Sequence, residues 1–131
     1  MSGAPNAPAI RELVPLMYVG DMNRAVAFYR DQLGFKIVAA WEPAGQLAWC
    51  RLQRDRSAVM LQQAEAEDGP ADGRGLGVIF CFICTDADAM YAELASRGVT
   101  VTAPEVAFFH MKQVFLRDPD GYQLCFESPT E

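Results

Sequence analysis

The sequence predicts an α+β domain built from two similar halves, each consisting of a strand, a helix and three further strands. Three observations predict this fold class. Strand-like runs alternate apolar and polar residues. An ordered pattern of strand, Asp, helix and Gly occurs twice. The segment between the two copies, residues 64–77, is polar and rich in Gly and Pro, as expected of a linker. We therefore predict two βαβββ modules in one chain.

The first copy begins with PLMYVGDMNRAVAFYRDQLGFKIV, residues 15–38. Asp21 is placed to cap the helix and Gly34 to end it. The apolar stripe of this helix consists of Met22, Ala25, Val26, Tyr29 and Leu33. The strands FKIVAAW, QLAWCRLQR and SAVMLQQ follow, so the first module is predicted to span about residues 10–63.

The second copy begins with FCFICTDADAMYAELASRGVTVT, residues 80–102. Asp86 takes the place of the helix cap, Gly98 ends the helix, and VTVT is predicted to be the next strand. The strands KQVFLR and YQLCFES complete a second module of about residues 78–128. The first nine residues, MSGAPNAPA, are predicted to be a disordered tail, and residues 10–131 to form the single domain.

The stretch RDPDGYQLCFES, residues 117–128, places two carboxylates near a cysteine. Asp118-Pro119-Asp120-Gly121 fits a type I turn, so we interpret the carboxylates as turn formers and not as acid/base catalysts. In the strand that follows, Cys125 points to the face opposite Leu124 and Phe126. The functional question is what that face binds.

Charge and cysteine placement limit the classes of partner. The net charge of −6 disfavours nucleic acid and anionic membranes and suits a neutral or cationic small molecule. We expect no secretory signal, and the sequence contains no apolar run long enough to cross a bilayer. All four cysteines lie in strand-like segments, which indicates free thiols in a reducing cytoplasm. Cys81 and Cys84 point to opposite faces of one strand, which argues against a zinc or redox pair.

Residues 19–35, with FYRDQLGF, and residues 118–124, DPDGYQL, resemble signatures of the vicinal oxygen chelate superfamily. This superfamily includes glyoxalase I, bleomycin-resistance proteins and extradiol dioxygenases, and the resemblance covers about residues 10–128. It implies that each module curves its sheet into a half-barrel and that paired modules enclose a cup-shaped cavity. It also implies a homodimer with ligand sites near the contact between halves.

In the metal-dependent relatives, four His, Gln or Glu side chains hold a divalent ion inside the cup. The resemblance places these positions at Val14, Met60, Ile79 and Cys125. None of the four carries an oxygen or imidazole donor, and one Cys with one thioether does not make a plausible site for such an ion. The superfamily's usual Lewis-acid chemistry requires that ion. We therefore expect no metal and no cofactor.

The resemblance then points to the metal-free branch, in which bleomycin-resistance proteins sequester a cytotoxic compound without breaking a bond. We predict that this chain binds an aromatic or cationic organic molecule in a dimer crevice. The ligand-binding candidates are Trp41, Trp49, Phe108, Phe109, His110, Tyr18 and Cys125. Cys81 and Cys125, both predicted to face the cup, are also candidates for gripping a thiophilic species such as an arsenical.

Two alternatives stay open. The first is a lyase, isomerase or dioxygenase with an atypical site, in which His110 acts as acid or base together with Glu42 or Glu127. The second is a structural or regulatory domain whose cup is filled by its own side chains. For each candidate residue a purely structural role competes with the functional one, since aromatic side chains and buried thiols commonly pack in cores.

Overall fold

A computed structural model describes residues 7–130 as two four-stranded mixed sheets with one main helix each. The predicted disordered tail of residues 1–9 lies mostly outside the described residues; residues 7–9 are exposed and have no regular structure. The elements of the first half are β1 (Leu16–Val19), α1 (Met22–Ala27), β2 (Lys36–Trp41), β3 (Trp49–Arg54) and β4 (Ser57–Gln63). Those of the second half are β5 (Ile79–Ile83), α2 (Ala87–Ser96), β6 (Glu105–Val106), β7 (Met111–Arg117) and β8 (Gln123–Pro129).

The two halves have the same topology. The strand order is β1-β4-β3-β2 in the first sheet and β5-β8-β7-β6 in the second. In each sheet the first strand pairs in parallel with the last, and the remaining neighbours are antiparallel. The predicted α+β class with two βαβββ modules and mixed sheets is confirmed.

Both helices begin at the predicted caps. The carboxylate of Asp21 accepts a hydrogen bond from the Arg24 backbone N–H, and that of Asp86 accepts one from the Ala89 N–H. Helix α1 continues as a π-helical turn, Phe28–Gln32, which the sequence did not predict. Gly34 and Gly98 follow the two helices with φ of 80° and 81°, a conformation that favours glycine.

One predicted strand is wrong. The VTVT segment, residues 99–102, forms only an isolated bridge between Val101 and Leu116, and the short strand β6 lies farther along the chain. Beside that bridge the Thr102 hydroxyl, and not a backbone carbonyl, accepts the Phe115 N–H, and Pro104, which has no N–H to donate, separates the segment from β6. Val99 is nevertheless buried in the core, so the apolar pattern of this segment reflects side-chain packing and not a strand.

A single core joins the halves. The rings of Phe35 in the first half and Phe82 in the second lie 5.8 Å apart in an edge-to-face arrangement. The Tyr29 hydroxyl donates a hydrogen bond of 2.7 Å to Asp118, and the Tyr122 hydroxyl donates one of 2.7 Å to the Tyr18 carbonyl. Because one face of each sheet packs into this shared core, the opposite face of each sheet remains available for function.

Candidate functional site

Each sheet has an open face, by which we mean the side that points away from the shared core. On β1 the side chains of Met17 and Val19 are buried, whereas Leu16 and Tyr18 lie on the open face. On β5 Ile79, Cys81 and Ile83 lie on the open face. Among the described residues neither helix is long and apolar enough to cross a bilayer. The candidate binding surfaces are the two open faces and the loops that border them.

Four side chains form one row across the open face of the first sheet. The register pairs Tyr18 with Gln62, Gln62 with Trp49, and Trp49 with Trp41. Residues in register point to the same side of a sheet, so alternation in four separate strands brings these groups together. The structure thus unites three of the predicted ligand-binding residues, Tyr18, Trp41 and Trp49, on one surface.

Trp41 and Trp49 line a groove of about 540 Å³ at one end of this row. Gln62, Gln63 and Glu65 supply polar groups to its wall. Gln63 is fixed, because its amide donates to the Gly20 carbonyl at 2.8 Å and its carbonyl accepts from the Met22 N–H at 3.1 Å. Within the described residues the Gln62 side chain makes no hydrogen bond and is free to meet a ligand. Aromatic walls, a few polar groups and this volume are typical of a site for an organic molecule.

The open face of the second sheet carries sulfur and oxygen donors. Cys81 and Cys125 are register partners on β5 and β8, and Glu127 follows on the same face of β8. Partial desolvation of the Cys81 thiol and burial of the Cys125 thiol are the main causes that raise their pKa values, and the neighbouring Glu127 charge adds to both. Both cysteines are therefore protonated and unreactive as nucleophiles near neutral pH when no cation is bound.

The four positions of the superfamily's metal ligands do not suit a hard divalent ion in this chain. Ile79 and Val14 have no donor atom, Met60 offers a thioether, and Cys125 offers a buried thiol. A hard ion prefers carboxylate and carbonyl oxygen, and catalytic zinc sites commonly use imidazole or carboxylate. The residues present therefore do not fit the group that the metal-dependent relatives hold, and they support no catalytic step through it.

The remaining predicted ligand residues lie elsewhere. Phe108, Phe109 and His110 form the turn before β7; none of them lines the groove at Trp41 and Trp49. Phe108 is 93% exposed and packs edge-to-face on Phe109 at 5.0 Å. His110 is exposed and adopts a left-handed φ of 65°. Among the described residues its side chain has no hydrogen-bond partner, and its backbone carbonyl accepts from Thr130.

The two carboxylates of RDPDG are structural. The Gly121 N–H donates to the Asp118 carbonyl at 3.0 Å, which confirms the turn. The Asp118 side chain accepts from the backbone N–H groups of Asp120 and Tyr122 and from Tyr29. Asp120 accepts from the Gly20 N–H at 2.8 Å and from Arg74 at 3.0 Å. Both carboxylates thus tie the second half to other parts of the chain.

Sequence reasoning did not single out the groove residues Gln62, Gln63 and Glu65, nor Gln113 beside Glu127. Strand alternation was the available signal for Gln113, which shares a face with Phe115 in KQVFLR. Gln62 lies two residues after Met60 on β4, so alternation also places these two side chains on one face. Alternation places Gln63, the last residue of β4, on the core side with Val19, and Glu65 lies beyond the strand, so the pattern assigned neither residue to the groove.

A family model described as "Glyoxalase/Bleomycin resistance protein/Dioxygenase superfamily" matches residues 11–126 of the chain. No curated protein sequence matches this chain significantly.

Solved structures similar to this one include an antibiotic-binding protein, a bleomycin-binding protein and a bleomycin resistance determinant. An antibiotic-binding protein, TnmS3 from Streptomyces sp. CB03234, has a TM-score of 0.73 at 23% identity, with 94% of this chain and 99% of that chain covered. The bleomycin resistance determinant encoded on transposon Tn5 has a TM-score of 0.75 at 22% identity, covering 93% and 100%. A bleomycin-binding protein in complex with bleomycin has a TM-score of 0.72 at 22% identity, covering 91% and 98%. At these identities the likeness shows a shared fold.

Proposed function

The chain belongs to the glyoxalase/bleomycin resistance protein/dioxygenase superfamily, and within that family we propose that it captures a small aromatic, cationic compound without transforming it. The observation that carries the proposal is the groove at Trp41 and Trp49 on the open face of the first sheet. Two indole rings offer flat apolar surfaces on which an aromatic ligand stacks. The proposed role is sequestration in the manner of bleomycin-resistance proteins.

Donor chemistry supports capture over catalysis. At the positions where metal-dependent relatives bind their ion, this chain has Val14, Met60, Ile79 and Cys125. Those side chains do not hold a hard Lewis acid, and Lewis-acid catalysis by the superfamily depends on such an ion. The alternative of a lyase, isomerase or dioxygenase with His110 as its acid or base gains no support from the exposed position of that side chain.

Charge supports a cationic ligand. Glu65 lines the groove, and the chain as a whole carries a net charge of −6. A negative field concentrates cations near the surface, and an aromatic face also attracts a cation through its quadrupole. The similar structures of a bleomycin-binding protein and an antibiotic-binding protein agree with a ligand of drug size.

We further propose that the functional form is a homodimer. Each open face exposes apolar side chains near its first strand: Leu16 is 43% exposed, Ile79 45% and Ile83 63%. Exposed apolar side chains on the same face of an edge strand are typical of an interface. A second copy that brings its own open face opposite would cover them and close the cup over the groove.

Native mass spectrometry and fluorescence with bleomycin as the probe test the proposal. On chelator-treated protein we expect a dimer that binds intact bleomycin and quenches the fluorescence of Trp41 and Trp49. Trp49→Ala is expected to weaken binding about 30-fold, because a buried aromatic contact contributes about 2 kcal/mol. Phe108→Ala is the matched control, since Phe108 lies outside the groove, and it should bind as the parent does.

Three results would contradict the proposal. They are recovery of chemically altered bleomycin, binding that requires added Mg²⁺ or Mn²⁺, and equal weakening by Trp49→Ala and Phe108→Ala. If bleomycin does not bind, a panel of other aromatic cations should contain a compound that does, with the same dependence on Trp49. Failure of the whole panel to bind would also overturn the assignment of the groove to such ligands.

A further inference from the structure

Three donor side chains cluster on the open face of the second sheet. Cys81 on β5 and Cys125 on β8 are register partners of a parallel pair, and Glu127 is two residues beyond Cys125 on the same face. One ligand atom from each of these residues lies within 4.8 Å of the other two. The Cys125 Sγ lies 3.8 Å from Glu127 Oε1. The sheet itself therefore holds two thiols and a carboxylate at one point.

The spacing suits a tetrahedral ion. With metal–sulfur bonds of about 2.3 Å and metal–oxygen bonds of about 2.1 Å, ligand atoms in a tetrahedral zinc site lie about 3.6–3.8 Å apart. The separation of 3.8 Å between Cys125 Sγ and Glu127 Oε1 matches such an edge. The other two pairs of ligand atoms lie at most 4.8 Å apart. Small side-chain rotations bring them to the tetrahedral spacing.

Glu127 is oriented and lacks a cationic partner. It is only 8% exposed, and Gln113 Nε2 donates to its Oε1 at 2.6 Å. No Lys or Arg pairs with Glu127 in the described part of the chain. A buried carboxylate without a counter-charge is costly, and an amide that fixes a metal-binding carboxylate is a common outer-sphere arrangement.

We propose that Cys81, Cys125 and Glu127 form a binding site for a thiophilic divalent cation of the Zn²⁺ and Cd²⁺ class. Two thiolates and one carboxylate would occupy three coordination positions, and a water or ligand atom would complete the fourth. Both thiols lose their protons to solvent when the cation binds. Thiolate donors select such ions over Mg²⁺ and Ca²⁺, which prefer oxygen.

This site is distinct from both the proposed organic-ligand groove and the superfamily's metal positions. It lies in the second half, whereas Trp41 and Trp49 lie in the first. Of the four inherited positions it uses only Cys125; Cys81 and Glu127 each lie two residues farther along their strands. The expectation of no metal was based on the inherited positions, and this cluster is a different set of donors.

Titration of the reduced, chelator-treated chain with Cd²⁺ tests the proposal. We expect one equivalent per chain, seen by calorimetry and by the ultraviolet charge-transfer band of sulfur bound to cadmium. Cys81→Ser should remove most of that band, and because Cys81 is exposed the change should not disturb the core. Glu127→Gln should keep the band but weaken binding about tenfold or more. Cys84→Ser is the matched control, three residues away and outside the cluster, and should bind as the parent does.

Binding of Cd²⁺ that is unchanged in Cys81→Ser, or reduced equally in Cys84→Ser, would overturn the proposal. So would the absence of binding while mass spectrometry shows both thiols intact, or a disulfide between Cys81 and Cys125 with no cation bound. The Trp49→Ala variant should retain Cd²⁺ binding, and Cys81→Ser should retain bleomycin binding. The two proposals can therefore fail separately.

Discussion

Equivalent positions on the open faces of the two sheets carry side chains of different chemical type. Across the open face of the first sheet the row is Tyr18, Gln62, Trp49 and Trp41; across the second it is Ile83, Glu127, Gln113 and Glu105. Two residues earlier on the same face, Leu16 pairs with Met60 in the first half and Cys81 pairs with Cys125 in the second. The strand order and the cross-strand pairing along these rows are shared, so they do not explain the difference. Side-chain identity at the paired positions makes one open face aromatic and the other a source of thiol and carboxylate donors.

The contacts between the halves differ in a related way. The β7–β8 turn of the second half reaches helical residue Tyr29 of the first through the buried Asp118. The β3–β4 turn of the first half reaches helix α2 of the second through Arg54, which forms a two-point contact with the partly exposed Glu93. The contact between Tyr29 and Asp118 is therefore a buried tether between the halves, whereas the contact between Arg54 and Glu93 is a partly solvated, ionic tether. Their energies should differ accordingly.

The largest expected effect is the gain of a second metal site. Leu16→Cys, Met60→Cys and Gln62→Glu together place the donor set of the second half at the matching positions of the first. Because the register is the same, we expect two equivalents of Cd²⁺ per chain instead of one, measured by calorimetry. The new site should bind about tenfold more weakly, since Trp49 stands where Gln113 orients the natural carboxylate.

Adding Cys81→Ser to this triple variant provides the control. The tighter equivalent should disappear and the weaker one should remain. A single equivalent in the triple variant would mean that the shared register is not enough to build the site. A further difference between the two sheets, in curvature or in strand spacing, would then be needed to explain why only the second open face binds the cation.

Much of this duplicated architecture could be predicted from the sequence because its signals are local. Asp21 and Asp86 cap helices through contacts three residues away, and strand alternation assigns Cys125 to the open face. The short strand after α2 was misplaced, because residues 99–102 alternate as a strand does but form only the bridge between Val101 and Leu116.

Long-range partners could not be predicted in the same way. The hydrogen bond from Tyr29 to Asp118 joins residues 89 positions apart, and nothing local to either residue identifies the other. The groove required the pairing of Trp41 with Trp49 across a hairpin whose first strand contains a register shift between Ile37 and Ala39. A shift of one residue turns side chains to the other face, so the sequence suggested both indoles as candidates without placing them together.

The second prediction concerns the buried tether. Asp118→Ala should lower the free energy of unfolding by about 3 kcal/mol, because it leaves the buried Tyr29 hydroxyl and two backbone N–H groups without their acceptor. Urea denaturation measures the loss. Asp118→Asn keeps an acceptor oxygen, and since burial raises the pKa of Asp118, the neutral amide avoids part of the desolvation cost. We expect it to lose about 1 kcal/mol. Equal losses in the two variants would show that the hydrogen bonds do not carry the effect.

The smallest expected effect concerns the ionic tether. Hydrogen bonds from Arg54 hold the pKa of Glu93 below its usual value. A lowered pKa in the folded state contributes stability above the unfolded pKa, and this contribution is lost as the pH falls through the folded value. Glu93→Gln should therefore cost about 1 kcal/mol at pH 7 and almost nothing well below the lowered folded pKa, at about pH 2. Asp88→Asn removes an ion pair to Lys112 inside one half, where Asp88 is more exposed than Glu93. It should cost about 0.3 kcal/mol or less. Urea denaturation at both pH values distinguishes the two, and equal effects would mean that the contact between halves contributes no more than an ordinary surface pair.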